Sequence, residues 1–350
     1  MIRIVIADDS TLLRRMLKEL IEEDGQLQVV GAAQHGLEAI ALVKQLQPDI
    51  LILDCEMPVM NGLEALRKIM AECPLPVFMF SSLTWEGASV TIKALEWGAV
   101  DFLLKPAREV NLKEVAQELI KKIKFIVLRS KFQKLSRRTQ AGAAAAAPRP
   151  AAPAEAVKTR RVEIVAMGSS TGGVQATMKV VPLLPPQTPP VVWVQHMPPG
   201  FTKSFADRLA GVSRMRVKEA ADGDLLETGI CYLAPGGVQM RLHKAGARLM
   251  LRIAGQEKVS GHCPSCDVLF ESVAQYFSET VLGVILTGMG EDGAAGLRRL
   301  HEQGAYVIGQ NEESCVVYGM PKAARDAGAV DIEVDISEVA KTIMKIGGLA

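Results

Sequence analysis

Residues 162–173 read VEIVAMGSSTGG, a short apolar run that ends in a turn of small residues. An apolar run followed by polar residues recurs at 191–196 (VVWVQH) and at 282–292 (LGVILTGMGED). Such runs, rich in Val, Ile and Leu, predict buried strands of a parallel sheet. The carboxyl ends of these strands meet at one edge of an open α/β sheet. We therefore expect Ser170, His196 and Asp292 to lie together.

The α/β alternation extends outward from this stretch over residues 161–350. The predicted core strands are VEIVAM, VVWVQ, LGVILT and AYVIG, and the predicted helices lie at 172–181, 201–210, 265–278, 293–303 and 336–347. Between Met215 and Arg252 the short runs RVKEA, ICYLAP, VQMRLH and RLMLRI predict an antiparallel ribbon or sheet extension. The second half is therefore expected to be a doubly wound, mostly parallel α/β domain with a short antiparallel β extension.

Residues 1–125 repeat strand and helix signals five times. The predicted strands are IRIVIA, VVGAA, DILIL, PVFMF and VDFLL. Between them lie amphipathic stretches such as Thr11–Glu23, whose leucines recur at helical spacing. Five such repeats predict a (βα)5 domain with a parallel sheet covered by helices on both faces.

A linker is predicted between the two domains, at residues 126–160. The chain is basic from Lys121 to Arg138 and then runs through AGAAAAAPRPAAPAEA. This Ala/Pro-rich tract is too low in sequence complexity to form a hydrophobic core. The basic stretch allows a nucleic-acid site, but a solvated helix face is the interpretation we favour. Lys and Arg total 40 against 39 Asp and Glu, a net charge of +1 that gives a nucleic-acid binder no support.

The composition is that of a globular protein, with 49% hydrophobic and 23% charged residues over 350 positions. The first residues, MIRIVIADDS, become acidic too early for a secretory signal, and no apolar stretch approaches the ~20 residues of a membrane span. We expect a cytoplasmic protein that is not inserted in a membrane, with its six cysteines reduced. His262, Cys263 and Cys266 resemble half of a zinc site or a redox pair, but no second ligand pair stands at suitable spacing.

Acidic residues collect at the predicted strand ends of the first domain. Asp8 and Asp9 follow the first strand, Asp54 ends the third, and Lys105 follows the fifth. Neighbouring carboxylates repel one another, and a divalent cation with oxygen ligands, Mg²⁺ above all, relieves that repulsion. A cation beside a carboxylate, with an ammonium and the hydroxyl of Ser81 nearby, suits phosphoryl transfer onto that carboxylate.

This first set of motifs resembles the receiver domain of two-component response regulators. The resemblance rests on DDS at 8–10, DCEMPVMNG at 54–62, Ser81-Ser82 and Lys105-Pro106. It implies that Asp54 accepts phosphate from a histidine kinase and that Mg²⁺ is ligated by Asp9 and Asp54 with the Glu56 backbone, Asp8 completing the acidic set. It further implies that Ser81 and Phe102 are switch residues and that Lys105 contacts the phosphate. The alternative is a flavodoxin-like domain with an inert acidic edge.

The turn around Ser170 suits a nucleophile. Small residues allow a tight strand-to-helix turn, and the following helix N-terminus offers N–H groups to an anion. Ser169 is the other candidate nucleophile. A nucleotide-binding loop is an alternative, although GSSTGG matches neither GxGxxG nor GxxxxGK[ST].

His196 is the one histidine of five that follows a core-like strand, which makes it the candidate general base. Asp292 is the candidate carboxylate that accepts from the far imidazole nitrogen and fixes the tautomer. Glu291 competes with Asp292 for this role, and the sequence does not separate the two.

The second half resembles the catalytic domain of the chemotaxis protein-glutamate methylesterases of the CheB type. The matching motifs are GSSTGG, QHMPPGFT, CYLAPGG at 231–237, PSCDVLF at 264–270, LTGMGEDGAAG and VVYGMPKAA at 316–324. The resemblance implies Ser170 as nucleophile, His196 as base, Asp292 as orienting carboxylate, and the backbone near Met289 in the oxyanion hole.

The same resemblance implies the activity and its partners. The expected substrates are methylated glutamates of chemotaxis receptors, which are demethylated with release of methanol, and specific receptor glutamines, which are deamidated. No cofactor is expected for the hydrolysis, and phosphorylation of the receiver is expected to uncover the Ser170 crevice. The alternatives are a non-enzymatic response regulator and an esterase of another sensory pathway.

Overall fold

The computed structural model describes residues 1–82, 85–105, 112–142, 158–246 and 248–349. Within it the chain forms two compact units, Met1–Ala154 and Glu155–Ala350. Pro106 and most of the Ala/Pro-rich tract lie outside the described residues. The domain limits of 1–125, 126–160 and 161–350 therefore stay predictions.

The first unit contains a parallel sheet of five strands in the order β2-β1-β3-β4-β5. Its strands are β1 (Ile2–Ala7), β2 (Leu27–Ala33), β3 (Ile50–Asp54), β4 (Val77–Ser81) and β5 (Asp101–Leu104). Every residue of β3 and β4 is buried, as expected for central strands covered on both faces. The predicted (βα)5 fold is confirmed.

Five helices follow these strands. They are α1 (Thr11–Glu22), α2 (Gly36–Leu46), α3 (Gly62–Glu72), α4 (Trp85–Glu96) and α5 (Leu112–Gly142). The first three begin at residues whose side chains accept a backbone N–H from the first turn: Ser10, His35 and Asn61. The last helix continues past position 125, so part of the basic stretch is helical, as the favoured interpretation required.

The second unit is built on a sheet of seven strands in the order β14-β13-β12-β6-β7-β9-β8, and every pair in it is parallel. Its strands are β6 (Ile164–Ser169), β7 (Val191–Gln195), β8 (Arg216–Glu219), β9 (Ile230–Leu233), β12 (Val281–Ile285), β13 (Tyr306–Gln310) and β14 (Ile332–Val334). The remaining strands, β10 (Met240–Ala245) and β11 (Arg248–Ile253), form an antiparallel pair.

The antiparallel region was predicted too broadly. RVKEA and ICYLAP become β8 and β9, which join the edge of the main sheet in parallel, and the other two runs form the antiparallel pair. Every residue of β9 is buried, as expected for a strand within a parallel sheet that is covered on both faces.

The described part of the second unit contains six α-helices. They are α6 (Gly173–Val180), α7 (Phe201–Ala210), α8 (Cys266–Val273), α9 (Ala294–Glu302), α10 (Met320–Asp326) and α11 (Ile336–Ile346). Five of them lie at predicted positions, α7 with the predicted limits and the other four with shorter ones. The predicted α8 reached residue 278, and neither α10 nor β14 was predicted. The first difference reflects turns that keep the apolar spacing after Val273, and the others are short elements with little periodicity.

The core of the second unit lies on both faces of its sheet. Trp193, Tyr232 and Phe270 are each no more than 1% exposed. Burial of one such aromatic side chain stabilises the fold by roughly 1.5–3 kcal/mol. Among the described residues, no helix is both long and apolar enough to cross a bilayer.

Candidate functional site

Three neighbouring strands bring Ser170, His196 and Asp292 together. β6 lies in the middle of this part of the sheet, between β12 and β7. Ser170 directly follows β6, and its N–H donates to the Thr287 carbonyl just beyond β12 (3.0 Å). On the other side, the His196 N–H donates to the Ser169 carbonyl (3.0 Å). The nucleophile candidate is therefore held between the two loops that carry the other two residues.

Two glycines allow this close approach. Gly172 has φ +79°, and a Cβ there would lie 2.5 Å from Val316 Cβ. At Gly288 a Cβ would lie 2.1 Å from Met320 Sδ and 2.9 Å from Ser170 Cβ. Real Cβ atoms do not pack at such distances, so larger residues would push the β12 loop away from Ser170.

His196 and Asp292 form a close buried pair. The His196 Nε2 lies 2.7 Å from the Asp292 Oδ2, and 7% of the His196 side chain is exposed. The acceptor on Asp292 places the ring proton on Nε2, since a carboxylate cannot donate. His196 Nδ1 is buried and makes no hydrogen bond within the described residues. Nδ1 is thus the nitrogen left to act as a base.

Asp292 is surrounded by donors. Its Oδ1 accepts from Ser265 Oγ (2.6 Å) and the Asp267 N–H (3.2 Å), and its Oδ2 accepts from the Cys266 N–H (2.6 Å) as well as from His196. Burial alone would raise the pKa of Asp292, but the hydrogen bonds from His196, Ser265 and the Cys266 N–H lower it to about 2. Glu291, the competing carboxylate, is exposed. The arrangement favours Asp292 as the orienting residue.

The two candidate nucleophiles have different surroundings. The Ser169 hydroxyl is buried, donates to Gln195 Oε1 (2.6 Å) and accepts from Trp193 Nε1 (2.9 Å). Both of its hydrogen-bonding capacities are thereby used inside the core. Ser170 is half-buried at the start of the turn, which favours it as the nucleophile.

The candidate oxyanion loop runs beside Ser170. The Gly288 N–H donates to the Val317 carbonyl (3.0 Å), and the Gly288 carbonyl accepts from the Gly319 and Met320 N–H groups. The Met289 N–H makes no backbone hydrogen bond within the described part of the chain. A donor in that position is what an oxyanion at the Ser170 ester would need.

Cys266 and His262, which the sequence suggested only as part of half a zinc site or a redox pair, are neighbours of His196. Cys266 Sγ lies 3.8 Å from His196 Nε2, and the His262 ring stacks on the His196 ring with centroids 3.7 Å apart. Ligand atoms of His196, Cys266 and Asp292 lie within 4.8 Å of one another. Burial and the nearby Asp292 raise the pKa of the Cys266 thiol well above its usual range, so without a bound metal it stays protonated at neutral pH. All six cysteines are free thiols.

The first unit brings its predicted charged residues together in an acidic cluster of Asp8, Asp9, Asp54 and Lys105. Lys105 Nζ lies 2.8 Å from Asp8 Oδ2 and 2.7 Å from Asp54 Oδ2. Asp8 and Asp54 are each 1% exposed, whereas Asp9 is exposed. The Glu56 N–H donates to Asp54 Oδ1 (3.2 Å).

The acidic cluster carries more negative than positive charge. Burial raises the pKa of Asp54 to about 6, with Lys105 opposing that shift and Asp8 adding to it. One oxygen from each of Asp8, Asp9 and Asp54 lies within 4.8 Å of the others. Three hard oxygen donors at this spacing fit a divalent cation such as Mg²⁺.

The predicted switch residues lie on β4 and β5 beside this cluster. Ser81 ends β4, and Phe102 pairs with Met79 across the two strands; both are buried. The Ser81 Oγ lies 2.7 Å from the Thr91 Oγ1 on α4. Thr91 was not identified from the sequence, because a threonine within a helix gives no signal of a tertiary partner. A cavity of about 600 Å³ opens beside the cluster, lined in part by Asp9 and Asn61.

Comparison with known families matches both halves of the chain. A family model described as CheB methylesterase matches residues 165–343, and a model described as response regulator receiver domain matches residues 4–117.

Curated relatives match over nearly the whole chain. A protein-glutamate methylesterase/protein-glutamine glutaminase 1 of Caulobacter vibrioides is 44% identical over 99% of this chain and 98% of its own length. A protein-glutamate methylesterase/protein-glutamine glutaminase of Pyrococcus abyssi is 41% identical over 98% of this chain and 93% of its own. The crystal structure of the Thermotoga maritima CheB methylesterase catalytic domain matches with a TM-score of 0.51 and 36% identity, covering 53% of this chain and 98% of that chain.

Proposed function

We infer the function of this chain from its family: it belongs to the CheB methylesterase family and carries a response regulator receiver domain. We propose that it hydrolyses glutamate methyl esters on chemotaxis receptors. The observation that carries the proposal is the buried His196–Asp292 pair beside the Ser170 turn. The nucleophile, base and orienting residue of a serine hydrolase are recognised by such an arrangement rather than by sequence position.

In the acylation step the Ser170 Oγ attacks the ester carbonyl carbon while its proton passes to His196 Nδ1. Asp292, whose pKa is lowered to about 2, stays ionised and stabilises the imidazolium that forms. The tetrahedral oxyanion is held by the Met289 N–H. As this intermediate collapses, the bond to the methoxy oxygen breaks, and methanol leaves with the proton from His196.

In the deacylation step a water molecule attacks the acyl carbon and gives its proton to His196 Nδ1. Collapse of the second tetrahedral intermediate breaks the bond to Ser170 Oγ, which regains a proton, and the glutamate carboxylate is released. A glutamine side chain follows the same route with ammonia as the leaving group. The enzyme therefore also deamidates specific receptor glutamines, and the hydrolysis itself needs no cofactor.

The receiver controls this activity. Asp54 accepts a phosphoryl group from a histidine kinase, with Asp8, Asp9 and Asp54 as the residues that would hold Mg²⁺ and Lys105 as the phosphate contact. Bound Mg²⁺ would neutralise charge on the phosphoryl oxygens. Phosphorylation, with Ser81 and Phe102 as the switch residues, shifts the population toward an active form. This activation serves sensory adaptation. The enzyme acts from the cytoplasm on membrane receptors.

The proposal is tested by methanol release from membranes that contain methylated receptors. We expect wild type to release methanol, more so with a small phosphodonor and Mg²⁺, and Ser170→Ala to be ~10⁴–10⁶ times slower. Ser169→Ala is the matched control, since it removes a hydroxyl one residue away and should retain most of the activity. Release by wild type no faster than by Ser170→Ala would reject the receptor esterase and point to another ester or to a binding role.

A further inference from the structure

A second imidazole lies against the candidate base, although it takes no part in the mechanism above. The rings of His262 and His196 are almost parallel, with an interplanar angle of 9° and centroids 3.7 Å apart. His262 is half-buried, and His196 is nearly covered. One face of the base is thus packed against another flat ring.

A tight turn from Val259 to His262 places His262 in this position. The N–H of Val259 donates to the His262 carbonyl (3.0 Å), and the His262 N–H donates to the Val259 carbonyl (2.9 Å). The two residues between them have positive φ, +51° at Ser260 and +83° at Gly261. A two-residue turn with both φ values positive is a common connection in β-hairpins.

The turn is tied to the residues that hold Asp292. The side-chain amide of Gln239, which is fully buried, lies 3.4 Å from the His262 carbonyl through Nε2 and accepts from the Ser265 N–H (2.9 Å) through Oε1. Ser265 in turn donates to Asp292. One buried amide therefore contacts both the backbone of His262, whose ring covers His196, and Ser265, which donates to Asp292.

The base needs such support because Asp292 restrains it at a single atom. A hydrogen bond at Nε2 sets the distance to Asp292 but leaves the ring free to tilt about that contact, and Nδ1 has no hydrogen-bond partner within the described residues. A flat ring stacked on the imidazole face opposes that tilt. Small misplacements of a reacting group cost up to about 10² in rate.

We propose that His262 is a positioning residue of the esterase, whose ring face holds the plane of the His196 imidazole so that Nδ1 stays directed at Ser170. The proposal rests on the proposed function, since it assigns Nδ1 as the base. Parallel stacking places ring faces, not nitrogen lone pairs, against each other, so His262 exchanges no proton with His196. A flat ring without nitrogen should therefore serve as well.

The test compares His262→Ala and His262→Phe in the full-length protein, with His243→Ala, an exposed histidine of β10, as the control. In methanol release from methylated receptor membranes, we expect His262→Ala to lower kcat about 10- to 100-fold with little change in KM. His262→Phe and His243→Ala should stay within about threefold of wild type. Wild-type kcat for His262→Ala, or a His262→Phe as slow as His262→Ala, would overturn the proposal.

Imidazole ¹⁵N resonances of His196 supply a readout that does not depend on the substrate. Wild type and His262→Phe should show one tautomer with the proton on Nε2, whereas His262→Ala should show broadened or averaged signals. Identical His196 spectra in all variants would reject the positioning role even if no receptor ester were cleaved. Failure of wild type to release methanol, with the spectral change present, would reject the proposed function instead.

Discussion

Asp54 and Asp292 are buried carboxylates at the same kind of sheet edge, yet their pKa values move in opposite directions. Asp54 has a pKa of about 6, and Asp292 has a pKa of about 2. Both are about 1% exposed, so burial opposes ionisation at both. The difference lies in the donors: Asp292 accepts four hydrogen bonds, whereas Asp54 has one backbone N–H and an ammonium that it shares with Asp8.

This contrast matches the two proposed roles. A carboxylate that must accept a phosphoryl group needs oxygen atoms that are not already committed to the protein. A carboxylate that must stay charged and orient a histidine needs every lone pair held in place. The number of fixed donors, rather than the depth of burial, separates the two sites.

The largest expected effect comes from removing the charge of Asp292, the buried carboxylate with four hydrogen-bond donors. Asp292→Asn should lower methanol release by about 10⁴, because an amide can donate to His196 and favour the wrong tautomer. Glu291→Gln, at the exposed neighbouring position, is the matched control and should leave the rate near wild type. Similar losses in the two variants would mean that Asp292 does not orient the base.

The second prediction concerns the reactive carboxylate. Asp54→Asn should abolish the stimulation of methanol release by a small phosphodonor with Mg²⁺ and leave the basal rate unchanged, since the acceptor oxygen is lost. Asp24→Asn is the control, because Asp24 pairs with Lys124 near the opposite edge of the sheet. Stimulation that persists in Asp54→Asn would place the phosphorylation elsewhere.

A third prediction concerns the hydrogen bonds to Asp292, one of which can be removed while the charge of Asp292 is kept. Ser265→Ala deletes the hydroxyl that donates to Asp292 and caps α8, and should raise the pKa of Asp292 and reduce activity roughly tenfold, with a loss of about 1–3 kcal/mol of stability. Asp335→Ala removes the cap of α11 without touching Asp292 and should leave the rate intact. Equal rates in the two variants would show that the donor count does not govern the site.

The smallest effect is on stability, and it should have opposite signs at the two carboxylates. The lowered pKa of Asp292 contributes about 2 kcal/mol of stability above pH 3.8, which is lost as the pH falls through about 2. The raised pKa of Asp54 makes its ionisation a cost that is absent below pH 3.8 and complete above about 6. At neutral pH without divalent cations, calorimetry should therefore find Asp54→Asn stabilised and Asp292→Asn destabilised. Shifts of the same sign would contradict the comparison.

Much of this architecture was predictable because apolar runs and polar strand ends are local signals. Asp54 ends β3 and His196 follows β7 as predicted, and each lies at the carboxyl-terminal edge of its parallel sheet. Strand direction is not a local property, so β8 and β9 were assigned to an antiparallel region although they extend the main sheet. Burial decided what composition could not, favouring Asp292 over Glu291.

The contacts of His262 and Thr91 are tertiary, and the sequence does not indicate them. His262 reaches His196 only because a turn and a buried amide bring it there, and Thr91 reaches Ser81 across a helix and a strand. Neither contact has a spacing in the sequence that marks it. Such supporting residues become visible when the side chains are placed in space.

The order of strands around Ser170 also has a consequence for refolding. Thr287 Oγ1 donates to the Thr171 carbonyl across 116 positions of the chain, so the turn is completed only when β12 has docked against β6. Contacts of such large sequence separation form slowly. In a refolding experiment, catalytic activity should therefore return later than the far-ultraviolet helical signal, and its recovery should report closure of the central sheet.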